Sequence, residues 1–218
     1  MLVLASQSAG RLATLRAAGV DPQVRVSDVD EPRILAALAA ARRSVGAGAP
    51  TPAEQVQALA QAKALDVAGS LPPAAVDADP DLVVVGCDSM LEIAGEVVGK
   101  PGTARAARER WLEMRGRTGT LHTGHFLVRA RDAATAAGVS STIVHFGSPS
   151  DAEIDAYIAS GEPLWCAGAF TIDGLGGAFI EGVEGDPHGV VGISLPLLRR
   201  LLTRLGVTWT DLWASPAA

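Results

Sequence analysis

Leu82-Val83-Val84-Val85-Gly86-Cys87-Asp88-Ser89 is the stretch on which the fold turns. Four consecutive apolar residues form a run of the kind buried on both faces of a sheet. Such a strand needs helices above and below it. Asp88 then falls just past its C-terminal end, where open α/β sheets place their ligands. Immediately upstream, Thr51-Pro52-Ala53-Glu54 combines a cap, a proline at the first helical position and a capping-box glutamate. The helix it opens puts Val56, Leu59, Ala60, Lys63 and Val67 on one stripe, so Lys63 stands where an apolar residue is expected. Downstream, a hairpin turning at Ala94-Gly95 ends at Val98-Gly99-Lys100-Pro101.

Further out, the same alternation continues. Leu2–Ala5 reads as a short strand broken by Ser6-Gln7-Ser8. Ser8 caps a helix carrying Leu12, Leu15 and Ala18, and Gly19 closes it. Gln23–Ser27 alternates as a second strand, and an alanine-rich helix follows Pro32. Gly46–Pro50 reads as a linker and Gly69–Pro80 as a loop. Thr103 starts a helix through Arg115, with strands around Thr120–Arg129 and Ser141–Phe146. Ser150-Asp151-Ala152-Glu153 is a second capping box, opening a helix that ends at Gly161. After a glycine-rich stretch, Leu195–Leu205 forms a last amphipathic helix. Helices alternating with strands predict an α/β sheet fold.

Composition narrows the function. The 218 residues are 48% apolar and 19% charged, which excludes disorder and supplies a core. A net charge of −6 argues against sequence-independent duplex binding, and 4% aromatics leave few platforms for single strands. Cys87 and Cys166 lie far apart without Cys-x-x-Cys spacing, so neither a zinc site nor a disulfide framework is encoded. His122 and His125, three apart in a strand, point to opposite faces. No basic n-region precedes the first apolar run, and no stretch approaches the ~20 apolar residues of a membrane helix. A soluble protein in a reducing cytoplasm is the expectation. Gly95-Glu-Val-Val-Gly99-Lys100 is one residue short of a P-loop, and Pro101 stands in place of its Ser/Thr. No G-x-G-x-x-G follows a strand and no G-x-S-x-G elbow occurs.

What remains is a set of scattered cations and acids near strand ends. Asp88 reads as a ligand-facing carboxylate or as a solvated turn residue. Lys63 either snorkels to solvent or directs its ammonium into a pocket. Lys100 before Pro101 reads as a surface charge or a second cation. Ser6, Ser8 and Arg11 gather donors at a strand-to-helix turn, which suits an oxyanion as well as plain capping. Asp28, Asp30 and Glu31 form an acidic run after the second strand. A polyphosphate with a divalent ion needs both sets of charge.

The chain resembles the Maf nucleotide pyrophosphatases along nearly its whole length. Leu4-Ala5-Ser6-Gln7-Ser8-Ala9-Gly10-Arg11 is similar to the family's opening LASxSPRR, and Ser27-Asp28-Val29-Asp30-Glu31 to its segment ending in Glu. Leu59–Ala64 resembles LAxxKA, Gly86-Cys87-Asp88-Ser89 resembles G(A/S)DT, and Gly99-Lys100-Pro101 matches GKP. Ser160–Phe170 resembles SGEPxxxAGAY, and Glu184-Gly185-Asp186 with Val190-Val191-Gly192 resembles the late EGD…VVGLP.

The resemblance implies one domain over 1–218, a mixed sheet flanked by helices around a central cleft, as in the inosine triphosphatase-like folds. It implies hydrolysis of nucleoside triphosphates to monophosphate and pyrophosphate with Mg²⁺ or Mn²⁺, clearance of non-standard nucleotides, and a homodimer. By position, Asp88 is then the proton acceptor and, with Glu31, holds metal. Ser6, Arg11, Lys63 and Lys100 bind the phosphates. Three departures stand out. Gly10 replaces one of the paired arginines, which predicts phosphate binding that is weaker or supplied from elsewhere, and Ser89 replaces the usual Thr. Asp173 replaces the Gln of members acting on uridine and thymidine triphosphates. A branch with an acidic residue there, similar to this chain in Cys166-Ala167-Gly168, acts on 7-methylguanosine triphosphate. Asp173 then reads the base and Trp165 stacks on it; otherwise Asp173 caps the Gly174–Gly177 turn and Trp165 is core. The alternative to an enzyme is a nucleotide-binding regulator of septum formation without turnover.

Overall fold

The computed structural model describes residues 1–214 and sets the Leu82–Val85 run inside a seven-stranded mixed sheet. The N-terminal elements are β1 (Leu2–Leu4), α1 (Ala9–Ala17), β2 (Gln23–Val24), α2 (Glu31–Ser44), α3 (Pro52–Gly69) and α4 (Pro73–Ala78). The long strand β3 (Val83–Ile93), β4 (Glu96–Val98), α5 (Ala104–Met114), β5 (Thr118–Arg129) and β6 (Thr135–Phe146) follow. The chain closes with α6 (Asp151–Ala159), β7 (Ile180–Glu184), α7 (Pro187–Val191) and α8 (Leu195–Arg204). Strand order is β2-β1-β3-β5-β6-β7, with β4 pairing β3. The α/β architecture expected from the alternating pattern is therefore present.

Caps form where the sequence places them. Thr51 and Ser150 both complete reciprocal capping boxes, and Ser8, Asp30 and Thr103 each accept a first-turn N–H. Three segments depart from expectation. The second strand stops after two residues, because its neighbour β1 ends at Leu4 and Arg25 N–H to Leu4 O is the last bond available. The Gly69–Pro80 loop contains α4, whose prolines fit the cap and first turn of a short helix. The third correction concerns β3, which runs 11 residues through Asp88 instead of ending before it.

That correction creates the cleft. One edge of β3 pairs with β5 along its whole length, from Val83↔Arg129 to Ile93↔Gly119. The other edge is shared. Parallel β1 covers it as far as Val85, where Ala5 N–H bonds Val85 O, and antiparallel β4 covers Leu91–Ile93. Between them, residues 86–90 present a bare strand edge. The sequence reading mistook the end of pairing on one side for the end of the strand.

Helices cover the sheet around this gap. On one face Leu2, Leu4, Val83 and Val85 pack with Leu15 of α1 and Leu198, Leu201 and Leu202 of α8. Further along that face Leu91, Leu121 and Val144 pack with Trp111 of α5 and Ile154 of α6. On the opposite face Ala60, Ala64 and Val67 of α3 lie on Val3, Val84 and Phe126. His125 is fully buried while His122 bonds Glu92 and Ser141 on the half-open face, as their spacing predicts. No helix among the described residues is long and apolar enough to cross a membrane.

Candidate active site

The helix α3 sits unusually close to the sheet. A Cβ on Gly86 would lie 2.2 Å from the Ala60 carbonyl, and one on Gly124, the register partner of Asp88, 2.4 Å from that of Val56. Only glycine leaves room for a helix backbone there. The approach brings Lys63 over the bare edge of β3, where Nζ lies 2.7 Å from Asp88 Oδ1 and 2.7 Å from Glu31 Oε1. Glu31 is the first residue of α2, so three separate elements meet at one ammonium. Lys63 and Asp88 keep 12% and 13% side-chain exposure, and Glu31 keeps 49%. Of the two sequence readings of Lys63, the pocket is the one observed. Burial pushes the Asp88 carboxyl above its usual range, while Lys63 and Arg11 pull it back. Asp88 Oδ2 has no partner among the described residues.

Arg11 forms the second cationic post. Its Nε donates to Gly192 O at 2.7 Å, Nη1 to Ser6 Oγ at 3.0 Å and Nη2 to Ser89 Oγ at 3.1 Å. A guanidinium has five N–H groups, so two remain to meet a ligand. Behind Ser89 the bonds have a forced direction. Thr123, fully buried, gives its hydroxyl proton to Gly189 O at 2.8 Å. In the 2.9 Å contact between the two hydroxyls, Ser89 must therefore donate to Thr123 Oγ1. Arg11 is thus fixed by a chain that runs through β3 and β5 into α7. Sequence reasoning missed Thr123, because one hydroxyl among the alternating residues of β5 carries no signal until its neighbours are known.

Next to Asp88, Cys87 is fully buried and its thiol is pushed up to about 11, so it supplies no thiolate at neutral pH. Among the described residues no three His, Cys, Asp or Glu side chains form a metal cluster. Asp88 and Glu31 are two hard-oxygen donors converging on one cation. That donor set fits Mg²⁺ or Mn²⁺, which take one or two carboxylates and complete their shell with phosphate oxygens and water.

No hydrogen bond or ion pair among the described residues joins Lys100, Asp173 and Trp165 to this cluster. Lys100 is exposed after β4 and has no ion-pair or hydrogen-bond partner among the described residues. Its loop is tied to the 164–168 segment through Gly102 N–H to Leu164 O and Gly168 N–H to Gly99 O. Burial raises the Cys166 thiol, Glu162 and Asp173 add to the rise, and Lys100 opposes it, so Cys166 feels both ends of this pair. Asp173 is exposed and makes no cap to the turn that follows it. Trp165 is 70% exposed, so the core reading of that residue is wrong. A Cβ on Gly10 would lie 3.8 Å from Asp173 Oδ2 and 3.1 Å from Val191 Cγ1. Two of the three departures from the family pattern are therefore neighbours, and Val191 packs closely where a side chain at position 10 would begin.

Two carboxylates and two cations thus gather on the bare strand edge of an α/β scaffold. The chain belongs to the Maf family: the description "Maf-like protein" matches residues 1–205. Relatives include a nucleoside triphosphate pyrophosphatase of Rhodococcus opacus, 54% identical over 98% of this chain and 96% of its own. A protein of the same name from Saccharopolyspora erythraea is 54% identical over 99% of this chain and 98% of its own. One from Nocardia farcinica is 53% identical over the same shares.

Proposed function

We propose that the protein hydrolyses nucleoside triphosphates to nucleoside monophosphate and pyrophosphate. The observation that carries this reading is the Lys63 ammonium held at 2.7 Å by both Asp88 and Glu31 on the bare edge of β3. Asp88 Oδ2 accepts the proton of a water whose oxygen attacks the α-phosphorus. The bond from that phosphorus to the bridging oxygen of the β-phosphate breaks, and pyrophosphate leaves with the electron pair. Lys63, the two free N–H groups of Arg11, Ser6 and, from across the cleft, Lys100 hold the phosphates and offset the charge that builds on the leaving group. Asp88 and Glu31 would hold a divalent ion, which when bound neutralises phosphate charge and makes its water more acidic. The relatives' names support the reaction, and the donor set supports the ion.

The base is read at the other end. An ionised Asp173 offers acceptors only, which suits a base edge presenting N–H donors such as guanine N1–H and N2–H₂. Exposed Trp165 offers a ring face on which a base can stack. A positively charged, methylated guanine gains from both. A cytoplasmic setting, a homodimer and the clearing of non-standard nucleotides belong to the same proposal and rest on the family resemblance.

A panel of triphosphates with Mg²⁺ or Mn²⁺ tests the reaction. Pyrophosphate is the expected product. Orthophosphate would refute attack at the α-phosphorus, and binding without turnover would favour the regulator.

A further inference from the structure

The base-reading end of the cleft hangs from a single side chain. Glu162 opens the 3₁₀ turn Glu162–Trp165 at the foot of α6 and folds back under the loop that carries Asp173. Its Oε1 accepts from Tyr157 Oη at 3.0 Å, from Gly176 N–H at 3.1 Å and from the Thr171 hydroxyl. Its Oε2 accepts from Leu175 N–H at 3.1 Å. These partners straddle Asp173, two residues before it and two and three after. Tyr157 Oη also accepts from Thr171 N–H at 3.3 Å, and the ring of Trp111 meets that of Tyr157 edge-on at 5.7 Å. The loop backbone lies directly on this pair. A Cβ on Gly174 would come within 2.6 Å of Glu162 Oε2, and one on Gly176 within 2.4 Å of Tyr157 Oη. Burial alone would raise the Glu162 carboxyl, but the donors from Thr171, Leu175, Gly176 and Tyr157 outweigh it and hold it low.

We infer that Glu162 is a positioning residue for base selection: it fixes the Thr171–Gly176 turn so that the Asp173 carboxylate meets the base edge at one distance and angle. Both Glu162 oxygens are occupied by Tyr157 and the turn, so it acts through the turn. The inference rests on the reading of Asp173 as the base-recognition residue and adds to it what holds that residue in place. A carboxylate is required because all four partners are donors. A Gln at this position keeps one acceptor oxygen and must set its NH₂ against at least one donor. Its least costly arrangement faces the Leu175 N–H, immediately beyond Asp173.

The test compares the full-length wild type with Glu162→Gln on GTP, UTP and ribose 5′-triphosphate, which has no base, at fixed Mg²⁺. Glu162→Gln is expected to shrink the GTP-to-UTP ratio of kcat/KM about tenfold, through KM. Its kcat on GTP and its hydrolysis of ribose 5′-triphosphate should stay within about twofold of wild type. An unchanged GTP-to-UTP ratio overturns the inference. So does an equal loss on the baseless substrate, which would mean general damage to the fold. If Glu162→Gln does not fold, Tyr157→Phe removes one donor and carries the same comparison with a smaller expected change. Asp173→Asn is measured alongside. If it leaves the ranking unchanged, the base-reading assignment itself falls. If it alters the ranking while Glu162→Gln does not, only the role of Glu162 falls.

Discussion

The two ends of the cleft are built on different terms. At the proposed phosphate end the two central cations are each held by at least two elements: Lys63 of α3 between α2 and β3, and Arg11 of α1 between Ser6, β3 and the backbone after α7. At the proposed base end Asp173 and Trp165 are exposed, and one carboxylate underlies the turn that carries Asp173. The phosphates are the same in every triphosphate, whereas the base is what differs. A network distributed over the sheet fixes the common chemistry, and a loop outside the sheet can change its reading residue without disturbing that network. The substitutions at Gly10 and Asp173 lie beside each other, and Gly10 immediately precedes Arg11, so they fall where the two ends meet.

Removing the proton acceptor strikes the common half hardest. Asp88→Asn keeps the size of the side chain and the contact to Lys63 but takes no proton from water. Turnover should fall by roughly 10²–10⁴ with every base, and KM should move only a few-fold. Near-normal kcat in a folded variant would sink the assignment.

The same half carries a pH liability. His125, buried beneath the cleft, donates Nδ1–H to Thr123 O at 3.1 Å and accepts Ser194 N–H at Nε2 at 2.9 Å. It must stay neutral to accept, and burial lowers its pKa from 6.5 to about 4. Between those values the unfolded chain binds a proton that the folded one does not, so stability falls as pH drops from 6.5 to 4 and levels off below. Such a shift is worth about 3 kcal/mol across the window. His125→Gln should flatten the slope of unfolding free energy against pH in that range, whatever its stability at pH 7. An unchanged slope would assign the acid sensitivity elsewhere.

Asp173→Gln tests whether the two halves are separable. A side chain with both donor and acceptor should shift preference from guanine-type towards uridine or thymidine triphosphates by roughly 10–100-fold. Hydrolysis of a triphosphate without a base should be unaffected. If the wild type already prefers uridine and thymidine triphosphates, or the ranking does not move, Asp173 does not read the base.

Much of the phosphate half was legible before the structure. Lys63 broke an apolar stripe, Asp88 followed an apolar strand, and Ser6 with Arg11 clustered at a strand-to-helix turn; each is a local violation of pattern. Three things were not legible. Whether Lys63 turned inward depended on Gly86 and Gly124 admitting α3, and those glycines belong to two strands distant in sequence. The length of β3 depended on β5, since residues 86–90 are paired from that side alone. The base end had no periodicity to read, because 3₁₀ turns and glycines bury little and repeat nothing; Glu162 appeared in the sequence only as part of a family motif.

The smallest expected effect tests how far the phosphate network is shared. Thr123 lies one layer behind Ser89, fully buried, yet it fixes which way the Ser89 proton points. Thr123→Val keeps the shape and removes the hydroxyl, so Gly189 O loses its donor and Ser89 loses its acceptor. Ser89 is then free to rotate its proton towards Arg11, placing donor against donor and loosening one of the three bonds on the guanidinium. One lost hydrogen bond of this kind corresponds to about 1 kcal/mol, so KM should rise a few-fold on every triphosphate, with kcat nearly unchanged and the ranking of bases intact. Inhibition by inorganic pyrophosphate should weaken by a similar factor, because it reports the same cations without a base or a reacting phosphorus. Thr123→Ser restores the hydroxyl and should restore both. A change in base ranking in Thr123→Val would show that the two halves are coupled through Gly189 and α7, and the separation drawn between them would have to be given up.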